Sequence, residues 1–435
     1  MPILTTAHIA RPATASSPLS GFLTAGAELL AQEDPQLHGA VCAEHAGKEG
    51  TLCLLADTGV VDPSVLACMA SVTRAVGELA TATVRAAIEQ LAALRAREAF
   101  GAGYANVLPH STGAALAGVL DAVAAPGSAV LDLRAETVPT DRFLTIEHTP
   151  AQDDLAQVAA LAERSNPSVI IAGGRFAPAG IDYAGLRELA DAAGAVLVAD
   201  LSAAAGQVAA STIASAGANP VRHAHVTVAC THTQLFGPHG AVVLTADRDP
   251  TAEAIAAVLT WSWPGATTLP AVAGKARALH LATSDTFRDT VRRMAAGAAQ
   301  LAEELAGVGH EVRRDSAGAH VVELTLAPRF RTAAGAVAAL GEVNMIVGAA
   351  PRTDGTDGSG APALRLGTAT LAQRQFGSSE VRQIAELLDS VLGATRHDGT
   401  VDEFVRLSAY DSLRRLLSQF PLPCYVPVTQ WEDHR

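Results

Sequence analysis

Between residues 112 and 245 the hydrophobic pattern changes period in a regular way. STGAALAGVLDAVAAPG sets apolar side chains three and four apart, the spacing of one helix face. SAVLDL comes next, a short apolar run of strand length. The alternation repeats as DLAQVAALAERSNP then SVIIAGG, and as YAGLRELADAAG then AVLVADL, before two further strands, HVTVAC and AVVLTA. Short apolar strands separated by helices of this length predict right-handed βαβ units in a mostly parallel sheet with helices on both faces. Ligands of such sheets gather at the carboxyl ends of the strands. Asp200 and His232, each at or just past a strand end, are therefore expected in one crevice.

Outside this core the pattern is looser. Residues 1–20 are rich in Thr, Ser, Pro and Ala and read as a loose arm, with helical patterning from about Gly21. Residues 63–100 form one long amphipathic run. Past Trp263 a single long helix through Arg293 leads into a smaller α+β unit: HVVELTL, a helix from Ala333, VNMIVG, and ALRLGT. APRTDGTDGSGAP reads as a mobile loop, and an amphipathic run over 401–420 closes the pattern. The division expected is an arm at 1–45, a large domain at 46–275, and a connecting helix with a small C-terminal domain at 276–435.

Composition narrows the chemistry. Acids outnumber bases 44 to 31 and leave a formal charge of −13, which repels phosphate backbones and anionic lipid. With aromatics at 4%, nucleic acid and membrane surfaces are poor partners. The longest uncharged run, 201–221, is rich in Ser, Gly and Ala, contains Pro220, and fails as a membrane span. Five cysteines without metal-type spacing read as reduced thiols, and no signal-peptide pattern opens the chain, so a cytoplasmic setting is expected. The basic residues are nearly all arginine; Lys48 and Lys275 are the only lysines. An imine between protein and a carbonyl cofactor needs a lysine amine.

Three stretches together resemble serine hydroxymethyltransferase, a fold type I family that uses pyridoxal phosphate (PLP): YANVLPHSTGAALAGVLDAVAAPGSAVL (104–131), VADLSAAAGQVAA through HAHVTVACTHTQLFGPHGAVVL (198–244), and ALRLGTATLAQRQFGSSEVRQIAELL (363–388). LCLLADTGVVDPSVLACM and AGKARALHLA are weaker echoes, and the likeness runs in order over about 45–420. The resemblance implies a large PLP-transferase-like α/β domain, a smaller C-terminal α+β domain, and a dimer with sites at the subunit interface. It implies transfer of a one-carbon unit between serine and tetrahydrofolate.

Residue by residue, however, the resemblance is uneven. The family's Schiff-base lysine falls on Thr233, next to the retained His232. Its phosphate-binding turn falls on Ser111, Thr112 and Gly113 in altered order, its ring-stacking histidine on Thr137, and a second histidine on Ala203. The catalytic glutamate falls on Thr58, with Asp57 beside it, and the partner-phosphate turn is shortened to PGATTLP. Asp200 matches the aspartate that pairs with the pyridine nitrogen, although a strand-end cap explains a carboxylate there equally well. Arg365 matches the arginine that grips an amino-acid carboxylate; a buried arginine in LRLGT otherwise needs an acid partner. His110 reads as a turn residue and His239 as a surface side chain. Cys230 and His232 fall on one side of the strand end, yet with no third orienting group a cysteine hydrolase is not favoured.

Two readings are open. In the first, the chain keeps the fold, holds no covalent cofactor, and serves as a repurposed ligand-binding or partner subunit. It would be a homodimer, or a dimer with a catalytically competent homologue. In the second it is an enzyme of altered, lysine-independent chemistry on an amino acid or related carboxylate, with His232 as base. Asp200 then leaves room for non-covalent PLP or its amine form, PMP. Ordinary hydroxymethyl transfer is not expected. Neither lysine is expected near the site.

Overall fold

A computed structural model describes residues 18–72, 82–134, 145–148, 152–177, 180–212, 219–260, 263–314, 319–350, 361–396 and 399–422. The expectations for Thr137, for the loose arm before residue 18 and for the mobile loop at 351–360 lie outside these residues.

Among the described residues, 18–50 belong to one compact unit and 51–422 to another. In the first, helices α1 (Pro18–Glu33) and α2 (Pro35–Glu49) pack together. Asp34 stops one and starts the other: its carboxylate accepts from the amide of Leu37, and Pro35 at the first helical position needs no amide partner.

The larger unit begins with β1 (Leu52–Cys53), α3 (Pro63–Val72) and α4 (Ala82–Phe100). It continues with β2 (Tyr104–Asn106), α5 (Thr112–Val123), β3 (Ala129–Asp132), β4 (Thr145–His148), α6 (Leu155–Ser165), β5 (Val169–Gly173), α7 (Tyr183–Ala193) and β6 (Val196–Asp200). Then come α8 (Ala205–Ala209), α9 (Pro220–His223), β7 (Val226–Cys230), β8 (Ala241–Thr245), α10 (Pro250–Val258), α11 (Leu269–Ala282) and α12 (Asp285–Gly307). A second set closes the unit: β9 (Val312–Arg314), β10 (Val321–Thr325), α13 (Ala333–Gly341), β11 (Met345–Ile346), β12 (Gly348–Ala349), β13 (Ala363–Gly367), α14 (Ala369–Gln373), α15 (Ser378–Ala394) and α16 (Glu403–Gln419).

The large sheet has the order β2-β8-β7-β6-β5-β3-β4. Its four pairs from β7 to β4 are parallel, while β8 runs antiparallel to both β7 and β2. This is the α/β class that the pattern predicts. Strands covered on both faces read as unbroken apolar runs, and β5 shows why: Ile171 packs with α5 and α10 on one face, Ile170 with α6 and α7 on the other. A four-stranded antiparallel sheet, β12-β13-β10-β9, packs with α12, α13, α15 and α16 around a separate core.

Two features depart from the sequence reading. The expected long helix is two, because Ser284 caps α12 through the amide of Phe287 and bonds the carbonyl of Leu281, ending α11. Within the amphipathic run at 63–100, residues 63–72 and 82–100 are helical, as α3 and α4. The short β2 escapes an alternation test at three residues but adds an antiparallel edge through Tyr104↔Thr245 and Asn106↔Val243.

Candidate functional site

The parallel strands β3, β5, β6 and β7 end side by side, and residues at or just past each end line a cavity of about 390 Å³. From β3 comes Arg134; from β5, Arg175 and Phe176; from β6, Asp200 itself with Ser202 and Ala203; from β7, Cys230, His232 and Thr233. The start of α5 adds Ser111, Thr112 and Gly113, and the small sheet adds His320 and Arg365. The residues singled out in the sequence as cofactor or substrate contacts thus line one space. Asp57 lines it too, whereas Thr58 does not.

At the sheet end lies a buried charge cluster. Arg134 is 2% exposed, and its guanidinium forks onto Asp132, Nε to Oδ1 and Nη2 to Oδ2, both at 2.9 Å. Its Nη1 reaches Asp200 Oδ2 at 2.7 Å. The other oxygen of Asp200 accepts from Ser202, from the amide at 2.9 Å and the hydroxyl at 2.6 Å. Asp132 and Asp200 are themselves 0% and 2% exposed. Charges removed from water this far persist only when paired and hydrogen-bonded. Sequence reasoning missed Arg134; the signal that could have found it is the Asp-Leu-Arg run at the end of β3, one strand from β5 and two from Asp200.

The turn between β7 and β8 is held from inside. The Thr231 hydroxyl donates to the carbonyl of Pro238 at 2.7 Å, and the Gly237 amide bonds Thr231 O at 2.9 Å. Phe236 adopts φ of 53°, the left-handed region, to close it. His232 comes 3.0 Å from the sulfur of Cys230 through Nδ1, and its ring stacks on His239 at 3.9 Å between centroids. His239 is exposed, as the sequence suggested, but it stands at the cavity wall against His232 and not away from the site. Burial lowers the pKa of His232; Asp57 opposes this and Arg175 reinforces it. The ring is therefore neutral at pH 7. The Thr233 hydroxyl donates to Ser202 O at 3.3 Å.

His320 and Gln234 were not singled out in the sequence, since each sits in an apolar or polar run with no motif spacing. His320 Nε2 bonds Ala56 O at 2.9 Å, and its Nδ1 meets the amide nitrogen of Gln234 at 3.3 Å. That geometry fixes the tautomer with the proton on Nε2. Burial pulls its pKa to about 4. Gln234 also bonds Ala203 O and the amide of Gly206, tying the small sheet to the loop after β6.

Arg365, 7% exposed, has the acid partner a buried arginine needs: Glu323, opposite it in the β10–β13 register, at 3.7 Å. That contact is long, because Arg313 holds the same carboxylate more closely. Arg365 also donates to Arg175 O at 2.8 Å and lies 5.0 Å over the ring of Phe176. Its position at the cavity wall suits a planar carboxylate.

No lysine lines the cavity among the described residues. Lys48 lies on α2, paired with Glu44. Lys275 corrects the expectation of a distant helix position: it is fully buried beneath the site, its ammonium donating to the carbonyls of Val107, Pro109 and Ala241 at 2.7, 2.7 and 3.0 Å. Burial pulls its pKa down to about 7, while three acceptors on one nitrogen favour the charged form. Gly240 is needed above it, since a Cβ there would lie 2.4 Å from Lys275 Cε. His110 bonds Gly265 O at 2.8 Å and does not line the cavity.

Known sequences agree with the fold. The family model for serine hydroxymethyltransferase matches residues 140–388. The chain is 29% identical to the serine hydroxymethyltransferase of Ruegeria pomeroyi over 93% of its own length and 97% of the relative's. It is 31% identical to that of a Methylobacterium strain over 94% and 99%, and 30% to serine hydroxymethyltransferase 2 of Burkholderia pseudomallei over 90% and 97%. By its sequence over nearly its whole length, and by a cavity at the strand ends of an α/β sheet, the chain belongs to the serine hydroxymethyltransferase family.

Proposed function

We propose that this chain binds a small carboxylate in the cavity and does not carry out the aldimine chemistry of its family. The observation that carries the reading is the Arg134–Asp200 pair. Asp200 would have to offer an oxygen to a pyridine nitrogen, yet one of its oxygens is bonded to Arg134 at 2.7 Å and the other to Ser202 twice. Thr233 stands where the family places its imine-forming lysine, and a hydroxyl cannot take that part. Lys275 is buried with its nitrogen engaged by three carbonyls. The residues present therefore do not fit a covalently held PLP. Non-covalent PLP or PMP would have to share Asp200 with Arg134 and Ser202.

A carboxylate ligand is supported by Arg365, whose guanidinium stands at the cavity wall beside Phe176, donating to Arg175 O and 3.7 Å from Glu323. The natural setting is a homodimer or a pairing with a competent homologue. A second reading, lysine-independent catalysis with His232 as base, is favoured by the lowered pKa of that ring, which keeps it a proton acceptor at pH 7.

Two measurements test the proposal. Incubation with PLP and then borohydride is expected to leave no pyridoxyl group on any cavity peptide; stoichiometric labelling of Lys275 would overturn it. A screen of small amino and oxo acids by thermal shift is expected to find a ligand that stabilises by about 2.7 kcal/mol at a hundredfold excess over Kd. That shift is expected to vanish in Arg365→Gln.

A further inference from the structure

We infer that Cys230 is a nucleophile of this cavity, activated by His232 and directed at the electrophilic carbon of a small carboxylate. The inference rests on the carboxylate-binding reading above and extends it from binding to bond formation.

Four observations meet here. Cys230 is the last residue of β7, so its side chain is aimed by the sheet and not by a mobile segment, and it lines the cavity. The sulfur is 3.0 Å from His232 Nδ1, a direct hydrogen-bond contact on which a thiol proton can move. His232 is oriented in turn by its stack on His239, which supplies the third group that the sequence left unassigned. Arg365 on the same cavity offers a guanidinium for an anionic tail.

The step is balanced without any cofactor or oxidant. With an aldehydo or oxo acid, the thiol proton passes to His232 Nδ1 and the sulfur attacks the carbonyl carbon. The carbonyl π pair moves to oxygen, which takes the proton back from the imidazolium to give a hemithioacetal. With a haloacetate probe the same sulfur forms a C–S bond as the carbon–iodine bond breaks; iodide leaves and His232 keeps the proton until buffer removes it.

Iodoacetate and iodoacetamide differ in charge and little in size, so they separate thiol reactivity from carboxylate steering. The net charge of −13 makes iodoacetate the poorer reagent for an ordinary thiol of this protein. Cys42, exposed and with His38 3.6 Å from its sulfur, is the reference. The rate at each cysteine of the native full-length protein is read by peptide mass mapping. Cys230 is expected to react with both reagents, with an iodoacetate-to-iodoacetamide ratio at least about tenfold above that of Cys42; tenfold corresponds to roughly 1.4 kcal/mol. His232→Gln is expected to slow Cys230 by about 100-fold, the lower end of general-base effects, with Cys42 unchanged. Arg365→Gln is expected to remove the iodoacetate preference and spare the iodoacetamide rate.

Labelling of Cys230 only after unfolding, or at an unchanged rate in His232→Gln, overturns the inference. An unchanged reagent preference in Arg365→Gln overturns the carboxylate part. The Cys230→Ser variant keeps the two proposals apart: if it still shows the carboxylate-dependent thermal shift while Cys230 proves inert in the parent protein, binding stands and nucleophilic action does not.

Discussion

Removing Arg134 should damage the protein far more than an ordinary arginine substitution. In Arg134→Met the hydrocarbon stem is kept in part, but Asp132 and Asp200 remain, both essentially without solvent contact, and three charge-assisted bonds disappear. Taken singly, such bonds are each worth roughly 1.5–3 kcal/mol. They share one guanidinium and do not add, so the better guide is the cost of breaking a buried pair, about 3–5 kcal/mol. The unfolding entropy is about 2.1 cal/mol/K per residue, which over the roughly 375 residues from Thr51 to Val426 gives about 0.8 kcal/mol/K. The corresponding fall in Tm is about 4–6 °C. Differential scanning calorimetry at pH 7 measures it, with Asp200→Asn and the double variant completing a cycle. Asp200→Asn is expected to cost less in the Arg134→Met background than in the parent chain. A Tm within about 1 °C of the parent, or strictly additive losses, would refute the reasoning and remove the strongest support for the proposed function.

Other outcomes are expected from the same geometry. His320 is held at a pKa of about 4 against 6.5 when unfolded, so below pH 6.5 the unfolded chain takes up a proton that the native one refuses. Stability is thus complete above pH 6.5 and falls by roughly 3 kcal/mol as pH drops to 4; His320→Gln should flatten this part of a Tm-against-pH curve, and an unchanged slope would count against it. Gly173→Ala should cost at least about 2 kcal/mol by strain and clash, since φ is +99° and the new Cβ would lie 2.2 Å from Asp200 O; parent-like denaturant midpoints would contradict this. Reductive methylation of the native protein should modify Lys48 and spare Lys275, which peptide mapping reads directly.

Much of this was legible in the chain, for identifiable reasons. Strands such as 169–173 are apolar throughout because both faces are covered, and the helices between them carry a clear period, so the parallel sheet is readable from pattern alone. Asp200 and His232 were placed in one crevice by the rule for strand ends, without knowledge of any contact. Arg134 was missed because its importance lies in a partner 66 residues away, and no local period encodes that. Lys275 was misjudged for the opposite reason. On a helix wheel it is one charged residue among alanines, and only the packing of α11 reveals that its amine ends among the carbonyls of Val107, Pro109 and Ala241. The Cys230–His232 contact was within reach of a strand-parity argument; what parity could not supply was His239, brought back by the turn to stack on the ring.

The cluster of Asp132, Arg134 and Asp200 bears on how this lineage can change. Losing Arg134 alone strands both carboxylates away from water, whereas losing one aspartate leaves Arg134 paired with the other, so the guanidinium can be replaced safely only after both acids have altered. The internal guanidinium is therefore the member of the cluster that must change last.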